Sequence, residues 1–227
     1  MRYNTELQNN NAELQAILDS VNGLPSAGGG EAEILITNLT RLDGLFRQAN
    51  FEKPIDIVLK PKKIYGANIN VSNTFLEAKN VRSVTIGYET DLMWILSSAF
   101  KLCSELVDVD LGEKILLSSA NNEAFSYASN LELIKTELDL TSATNINGMF
   151  GRCSALKEVR FTANSIKLSL AFPMSTQLSD ASIQSIIDGL ADLTGATSQT
   201  ITFATEIKSK LTEEQISQIT SKNWTLA

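Results

Sequence analysis

Two aspartates in the middle of the chain are spaced as if to begin a calcium-binding loop. Asp108 and Asp110 precede Gly112 in the segment DVDLG. A complete helix–loop–helix calcium site needs a third oxygen ligand before the glycine and a glutamate at its twelfth position. Here the fifth position is already Gly112 and the twelfth is Ser119. The alternation instead predicts a short strand with both aspartates facing outward.

The composition removes most other catalytic chemistry. The chain has no histidine, so Ser–His and Cys–His nucleophiles are excluded. Two cysteines are too few for a metal site, and the glycines at 28–30 lack the flanking strand and helix of a phosphate loop. A glycoside-cleaving carboxylate pair stays open as a minor alternative, because some of the 26 acidic residues will be close by chance. We therefore expect no enzyme activity, no cofactor and no metal.

Five regularly spaced phenylalanines indicate the repeat that positions these residues. Phe75, Phe100, Phe125 and Phe150 stand at positions i, i+25, i+50 and i+75, and Phe46 precedes them at i−29. Such a period predicts a solenoid, in which each small unit buries its apolar face only against its neighbours. A solenoid offers a long surface rather than a pocket, so the period favours a binding function.

Other positions keep the same register as the phenylalanines, which makes chance spacing a poor explanation. Apolar residues with one exception, Thr136, stand nine and eleven positions after each Phe: Ile55 and Ile57, Val84 and Ile86, Val109 and Leu111, Ile134 and Thr136, Val159 and Phe161. Three positions after each Phe are small residues: Ala49, Ala78, Cys103, Ala128 and Cys153. Six positions after Phe, four units have Val or Leu and the first has Glu52. Each unit is predicted to be a tight turn with an inward Phe, followed by a short strand.

The outward strand positions, eight and ten after each Phe, define a candidate binding face. They include Pro54 and Leu133, and the residues that we predict to bind are Asp56, Ser83, Thr85, Asp108, Asp110, Lys135, Glu158 and Arg160. Solenoids often bind through such a face, but an ordinary solvated sheet, with binding on loops or at an oligomer's tip, is an equal alternative. Trp94 and Tyr127 lie outside the inward columns and are candidates for exposed anchors or for packing in a turn.

The two cysteines are expected to be free and buried. Cys103 and Cys153 occupy the same column two units apart, so their strands should be roughly 10 Å apart. A disulfide requires Cα atoms within about 7 Å.

Residues 1–24 are predicted to form an amphipathic helix, and residues 25–31 a glycine-rich linker. The apolar seam of the helix consists of Leu7, Leu14, Ile17, Leu18 and Val21. A seam with a seven-residue repeat favours homo-oligomerisation or docking to a larger particle. A helix that folds back on the solenoid, or that frays, is the alternative.

Residues 171–227 change period but are assigned to the same 32–227 domain. Ser179 or Asp180 can cap a helix, Thr212 and Gln215 form a capping box for a second, and residues 200–203 alternate like a strand. Trp224 and Leu226 stand at the i+23 positions from Ile201 and Phe203. We therefore predict two larger, helical capping repeats.

Bulk properties exclude two classes of partner. The net charge is −7, which argues against nucleic acid and against anionic membrane surfaces. No apolar run approaches the roughly 20 residues that span a bilayer. The polar start of the sequence is unlike a signal peptide.

The repeat unit resembles a known bacterial family. The segment GMFGRCSALKEVRF at 148–161 is similar to BspA-type leucine-rich repeats of bacterial surface proteins, as is AFKLCSEL at 99–106. Residues 138–146 resemble the segment between such repeats, and the likeness spans roughly 40–165. It departs at Ala78 and Ala128, which replace Cys, and at Glu52. The resemblance implies an α/β solenoid, a leucine-rich-repeat-like stack of short strands, turns and short helices, that binds partners.

The two ends of the chain resemble a second group. Residues 4–25 and 211–227 are similar to the ends of small proteins from phage or prophage tail regions. This resemblance implies a virion-associated tail fibre or accessory protein that recognises a host. A bacterial cell-surface protein that binds a protein or glycan is the alternative.

Overall fold

The computed structural model describes residues 32–36, 42–61, 68–88 and 92–227. The predicted helix at 1–24, the linker at 25–31 and the seam residues Leu7, Leu14, Ile17, Leu18 and Val21 lie outside these ranges.

Nine parallel strands form one curled sheet within the described residues. One set of strands, here called ladder A, runs β1-β2-β4-β6-β8-β9, and a second set, ladder B, runs β3-β5-β7-β8. The long strand β8 belongs to both, because its first part pairs with β6 and β9 and its later part pairs with β7. The strands are β1 (Ala32–Ile36), β2 (Asn50–Leu59), β3 (Asn68–Asn70), β4 (Lys79–Ile86), β5 (Met93–Ile95), β6 (Asp108–Asp110), β7 (Lys114–Ala120), β8 (Leu133–Asn145) and β9 (Glu158–Phe161).

The register of ladder A confirms the predicted inward columns from the second unit to the fourth, whereas in the fifth unit Phe161 lies beside Leu138 rather than Thr136. Val84 lies beside Val109, and Val109 lies beside Ile134, so each residue pairs with its i+25 equivalent in the next unit. All three side chains are buried. Thr136, the polar exception, is also buried, and its hydroxyl accepts the backbone N–H of Leu111 at 2.7 Å. A buried hydroxyl with a partner is tolerated in a core.

Each repeat unit forms one coil of the solenoid. The turns that carry the phenylalanines form the third side of each coil, beside ladders A and B. The residues two before and two after each Phe are left-handed, with φ between 50° and 68°: Gly44, Gln48, Asn73, Glu77, Ser98, Leu102, Glu123, Tyr127, Gly148 and Arg152. In the first four turns this conformation directs the N–H groups of these residues along the stack, as from Tyr127 to the Gly151 carbonyl at 2.7 Å. The turns are therefore hydrogen-bonded from coil to coil, like the strands.

The five phenylalanine rings stack in a continuous column inside the turns. Neighbouring centroids are 5.2 to 5.6 Å apart, and the ring planes deviate by at most 11°. All five rings are fully buried. Aromatic pairs of this kind contribute about 0.5–1.5 kcal/mol each beyond their buried area, so the period of the sequence is the period of this column.

The first unit departs from the predicted register. Ile57, not Ile55, lies beside Val84, and Asp56 lies beside Ser83 rather than Thr85. Irregular pairing between Asn50 and Ile55 accommodates the longer spacing of this unit. Phe51 is fully buried against Phe46, at 6.3 Å between centroids, and Ile55 rather than Glu52 lies beside Val81.

Both cysteines are free and buried, as predicted. The Cys103 thiol donates to the Phe75 carbonyl at 2.8 Å, and the Cys153 thiol donates to the Phe125 carbonyl at 3.1 Å. Burial raises the pKa of each thiol to about 12. The thiols are therefore unreactive core groups.

The C-terminal coils combine a three-stranded parallel sheet with helices. Ser179 caps the first helix, and Thr212 and Gln215 form the predicted capping box of the third. Ile201 pairs with Leu226, an offset of i+25, so the predicted i+23 offset is wrong. Whether the helices act as caps stays a prediction. The elements are β10 (Leu170–Phe172), α1 (Asp180–Gly189), β11 (Gln199–Phe203), α2 (Thr205–Lys208), α3 (Glu213–Ser221) and β12 (Trp224–Leu226).

The C-terminal coils continue the aromatic column and cover the edge of β9. Phe172 stacks on Phe150 at 4.7 Å, and Phe203 stacks on Phe172 at 6.2 Å. Helix α1 lies along β9, where the hydroxyls of Ser182 and Ser185 accept N–H groups from the strand at 2.9 Å. The helix thus provides acceptors that a further strand would otherwise supply.

Candidate binding surfaces

The outer face of ladder A gathers the predicted binding residues. The strand register aligns one row across five coils and a second, shorter row next to it. The first row is Asp56, Ser83, Asp108, Leu133 and Glu158, and the second is Val58, Thr85 and Asp110.

Lys135 and Arg160 complete this face but are not neighbours. A register shift in β8 places Arg160 beside Glu137 instead of Lys135, although its guanidinium still donates to the Lys135 carbonyl. Both side chains are exposed, whereas the other predicted residues are half-buried.

Two ion pairs lie on this face, Arg82–Asp56 and Lys135–Asp108. The Arg82 guanidinium and the Ser83 hydroxyl both donate to the Asp56 carboxylate, and the Arg82 hydrogen bond is the main reason that the pKa of Asp56 is lowered. Lys135 Nζ lies 2.8 Å from Asp108 Oδ1. The ladder A face is therefore a mixed-charge surface without a strong field of one sign.

A groove lies on the side of the molecule that the turns form. It was not predicted, and Tyr127 alone among its lining residues was a candidate for an exposed anchor. The groove has a volume of about 390 Å³ and is lined by Leu102, Ser104, Tyr127, Ser129, Arg152, Ser154 and Met174. Leu102, Tyr127 and Met174 are 40 to 44% exposed, and they are half of the large apolar side chains that are exposed in the described part of the chain. We call this feature the turn-side groove.

The groove follows from two columns of the repeat. Leu102, Tyr127 and Arg152 stand two residues after successive phenylalanines, at left-handed positions, and Met174 holds the same place after Phe172. Four residues after the phenylalanines come Ser104, Ser129 and Ser154. These two columns were the available signal in the sequence.

The groove has a distinct electrostatic centre. The Arg152 guanidinium carbon lies 5.0 Å from the centroid of the Tyr127 ring, within cation–π distance. Tyr127 is thus exposed, as one of its two predicted alternatives stated. Trp94, by contrast, is 1% exposed, and its strand β5 lies beside β7, so it is a core residue rather than an anchor.

Within residues 32–36, 42–61, 68–88 and 92–227, no group of three or more acidic or cysteine side chains is arranged to hold an ion. No helix in the same ranges is long and apolar enough to cross a membrane.

Comparison with protein families decides the class of the repeats. The BspA type leucine-rich repeat region matches residues 69–202, more than half of the 227 residues, in six copies. The chain belongs to this family. BspA-type repeats generally mediate protein binding, typically in surface or extracellular proteins, and are typically non-enzymatic. No curated protein and no solved structure gives a significant match.

The BspA-type match does not include the irregular first unit. The matched region begins after the first unit, whose pairing is irregular, and extends beyond the expected 165 into β11. The coil around Phe172 thus shares both the aromatic column and the family pattern, whereas Phe203 and the elements after it lie beyond the matched region.

Proposed function

We propose that the protein is a non-enzymatic binding or adhesion protein that holds a protein or glycan of a cell surface on its ladder A face. The observation that carries this proposal is the in-register row of outward side chains that crosses five coils, from Asp56 to Glu158. The family supports it, because BspA-type repeats generally mediate protein binding.

The physical properties of the face suit a partner with mixed charge. Each coil contacts only its neighbours, so the coils form an extended surface whose side chains keep a fixed spacing. Ion pairs such as Lys135–Asp108 fix the positions of the charges before a partner arrives. Preorganised side chains lose less conformational entropy on binding.

A bulky substitution in the middle of the face tests this proposal. Thr85 is half-buried on β4, beside Asp110, whereas Thr141 is exposed on the part of β8 that pairs with β7. We expect Thr85→Arg to lower the attachment of labelled full-length protein to bacterial and epithelial cells at least about tenfold, as for the loss of a central contact. Thr141→Arg makes the same chemical change away from the face and should leave attachment unchanged. Equal effects of the two variants, or no attachment of the unmodified protein, would contradict the proposal.

A finer proposal concerns where the protein acts. We propose a virion-associated fibre or accessory protein, with a bacterial cell-surface protein as the alternative that the repeats fit equally well. The virion proposal rests on the resemblance of the two ends to phage tail-region proteins, and it requires residues 3–22 to assemble the chain. Light scattering of the full chain and of Leu14→Glu tests it. An oligomer that the substitution converts to a monomer favours the fibre, and monomers in both cases favour the cell-surface alternative.

A further inference from the structure

We propose that the turn-side groove is a second binding site, which takes a sugar that carries a carboxylate, such as a terminal sialic acid or a uronic acid. This site goes beyond the proposed function, because it lies on the turns and not on the ladder A face.

The charge of the groove points to an anion. Arg152 is the only charged residue among the seven that line it, and within the described part of the chain it has no carboxylate partner. Lys135 and Lys157, in contrast, each lie 2.8 Å from a carboxylate. A planar guanidinium binds a carboxylate through two parallel hydrogen bonds. Although the chain has a net charge of −7, Arg152 has no carboxylate partner within the described residues, so a ligand can supply the negative charge that pairs with it.

The remaining lining residues suit the two surfaces of a sugar ring. The Tyr127 phenol and the Ser129 hydroxyl make no hydrogen bond to the described residues, so both are free to bond the hydroxyls of a ligand. The Ser154 hydroxyl donates to the Ser129 carbonyl at 3.1 Å and keeps its acceptor positions. Leu102, Tyr127 and Met174 supply apolar surface for the C–H face of a ring.

The backbone of the turns argues against an extended peptide. A peptide that adds to a sheet needs free N–H and C=O groups at an edge. At two of the turns that line the groove these groups already join neighbouring coils, through the bonds from Leu102 N–H to the Ser126 carbonyl at 2.9 Å and from Tyr127 N–H to the Gly151 carbonyl at 2.7 Å. A volume of about 390 Å³ also lies near the lower end of ligand sites, which suits a short saccharide.

Two substitutions that the repeat itself already contains test the site without disturbing the turn. Arg152→Gln removes the charge, and Gln48 holds the same place in the first turn with φ 58°. Tyr127→Leu removes the aromatic ring and its hydroxyl, and Leu102 holds the same place one coil earlier with φ 63°. Circular dichroism and the thermal midpoint establish that both variants fold.

The probes are 3′-sialyllactose, a glucuronate-containing disaccharide and uncharged lactose, titrated into the full chain by calorimetry or NMR. We expect at least one charged sugar to bind and lactose to bind far more weakly. Arg152→Gln should weaken the charged sugar on the order of 10- to 100-fold, the loss of a charge-assisted hydrogen bond. Tyr127→Leu should weaken it to a smaller degree.

Arg47→Gln is the matched control, because it removes the same charge from an exposed site in the first turn, outside both the groove and the ladder A face, and should leave sugar binding unchanged. Equal losses in the two arginine variants, lactose affinity equal to that of sialyllactose, or no sugar bound at millimolar concentration would each overturn the site. Displacement of the sugar by a glutamate-rich peptide of higher affinity would reassign the groove to acidic peptides. Thr85→Arg separates the two proposals. If it lowers cell attachment and leaves sugar affinity unchanged, the result supports both. If it lowers cell attachment but Arg152→Gln does not weaken sugar binding, only the groove proposal is overturned.

Discussion

The central coils and the C-terminal coils solve the same packing problem in different ways. Between Phe75 and Phe161, each strand of ladder A passes its backbone hydrogen bonds to a strand of the next coil. After β9 the next element on that side is helix α1, and serine hydroxyls accept the N–H groups of Val159 and Phe161. The aromatic column runs through both regions.

The comparison separates what the repeat requires from what it only favours. The inward aromatic column runs from Phe46 to Phe203 through both regions, whereas the outer side of a coil can be a strand or a helix. The requirement at the junction is that buried N–H groups find an acceptor. Substitutions that change the aromatic column or the acceptors of the N–H groups in one region, compared with the same kind of change in the other, test this difference.

The largest effect is expected in the aromatic column. Phe125 is stacked on both sides, at 5.4 and 5.6 Å, whereas Phe203 has one stacked neighbour at 6.2 Å. We expect Phe125→Ala to lower the free energy of unfolding by about 3–5 kcal/mol and Phe203→Ala by about 2–3 kcal/mol. Urea denaturation followed by circular dichroism measures both. Equal losses would mean that a ring stabilises only its own coil, irrespective of its neighbours.

The next effect is expected where α1 approaches the central coils. A Cβ atom at Gly189 would lie 2.9 Å from Ile166 Cδ1 and 3.0 Å from Phe161 Cβ. Although alanine is the better helix former, this overpacking should make Gly189→Ala less stable by about 2–3 kcal/mol.

Gly87→Ala is the control for this substitution in the central coils. Its Cβ would meet Lys60 Cγ at 3.7 Å, an ordinary contact, so thermal unfolding should change little. A Gly189→Ala protein that is as stable as the parent would show that α1 can move away from β9 without cost.

A smaller effect is expected at Ser182, whose hydroxyl replaces an acceptor that a further strand would supply. Ser182 is 1% exposed, and its hydroxyl accepts the Val159 N–H at 2.9 Å. Ser182→Ala leaves this N–H without its acceptor and should cost about 1–2 kcal/mol. Faster hydrogen exchange at Val159 would locate the effect. Ser217→Ala, on the exposed part of α3, should change neither stability nor exchange, and a silent Ser182→Ala would contradict the role given to this hydroxyl.

Particular residues show why the sequence predicted one ladder and not the other. The strands of ladder A alternate between inward and outward residues at fixed distances from Phe, which is why Val84, Val109 and Ile134 could be assigned to the core. In ladder B, Ile69 pairs with Trp94 at an offset of 25 residues but Trp94 pairs with Leu117 at an offset of 23, so no apolar column stands at a fixed distance from Phe. Trp94 therefore could not be placed in the core before its pairing was known.

The turn-side groove was missed for a different physical reason. A side chain two residues after Phe points outward because its backbone is left-handed, and a conformation of this kind is expected for Gly or Asn rather than for Leu102, Tyr127 or Arg152. Only the hydrogen bonds between turns make this backbone favourable. The sequence therefore supplied the column but not the direction of its side chains.

The smallest effect is expected for the ion pairs that distinguish ladder A from the helical end. The Arg82 hydrogen bond lowers the pKa of Asp56 in the folded state, so Asp56 stabilises the fold above the unfolded pKa of about 3.9, and this contribution is lost as pH falls through the lower folded value. Asp56→Asn should lower the free energy of unfolding by about 0.5–1 kcal/mol at pH 7, because the pair is partly exposed, and by close to nothing at pH 2.

Glu132→Gln is the control, because it removes a more exposed pair with Lys157 and should lower the free energy of unfolding less at pH 7. Urea titrations at both pH values measure the differences, and an Asp56→Asn loss that persists at pH 2 would mean that this side chain contributes by packing and not by charge.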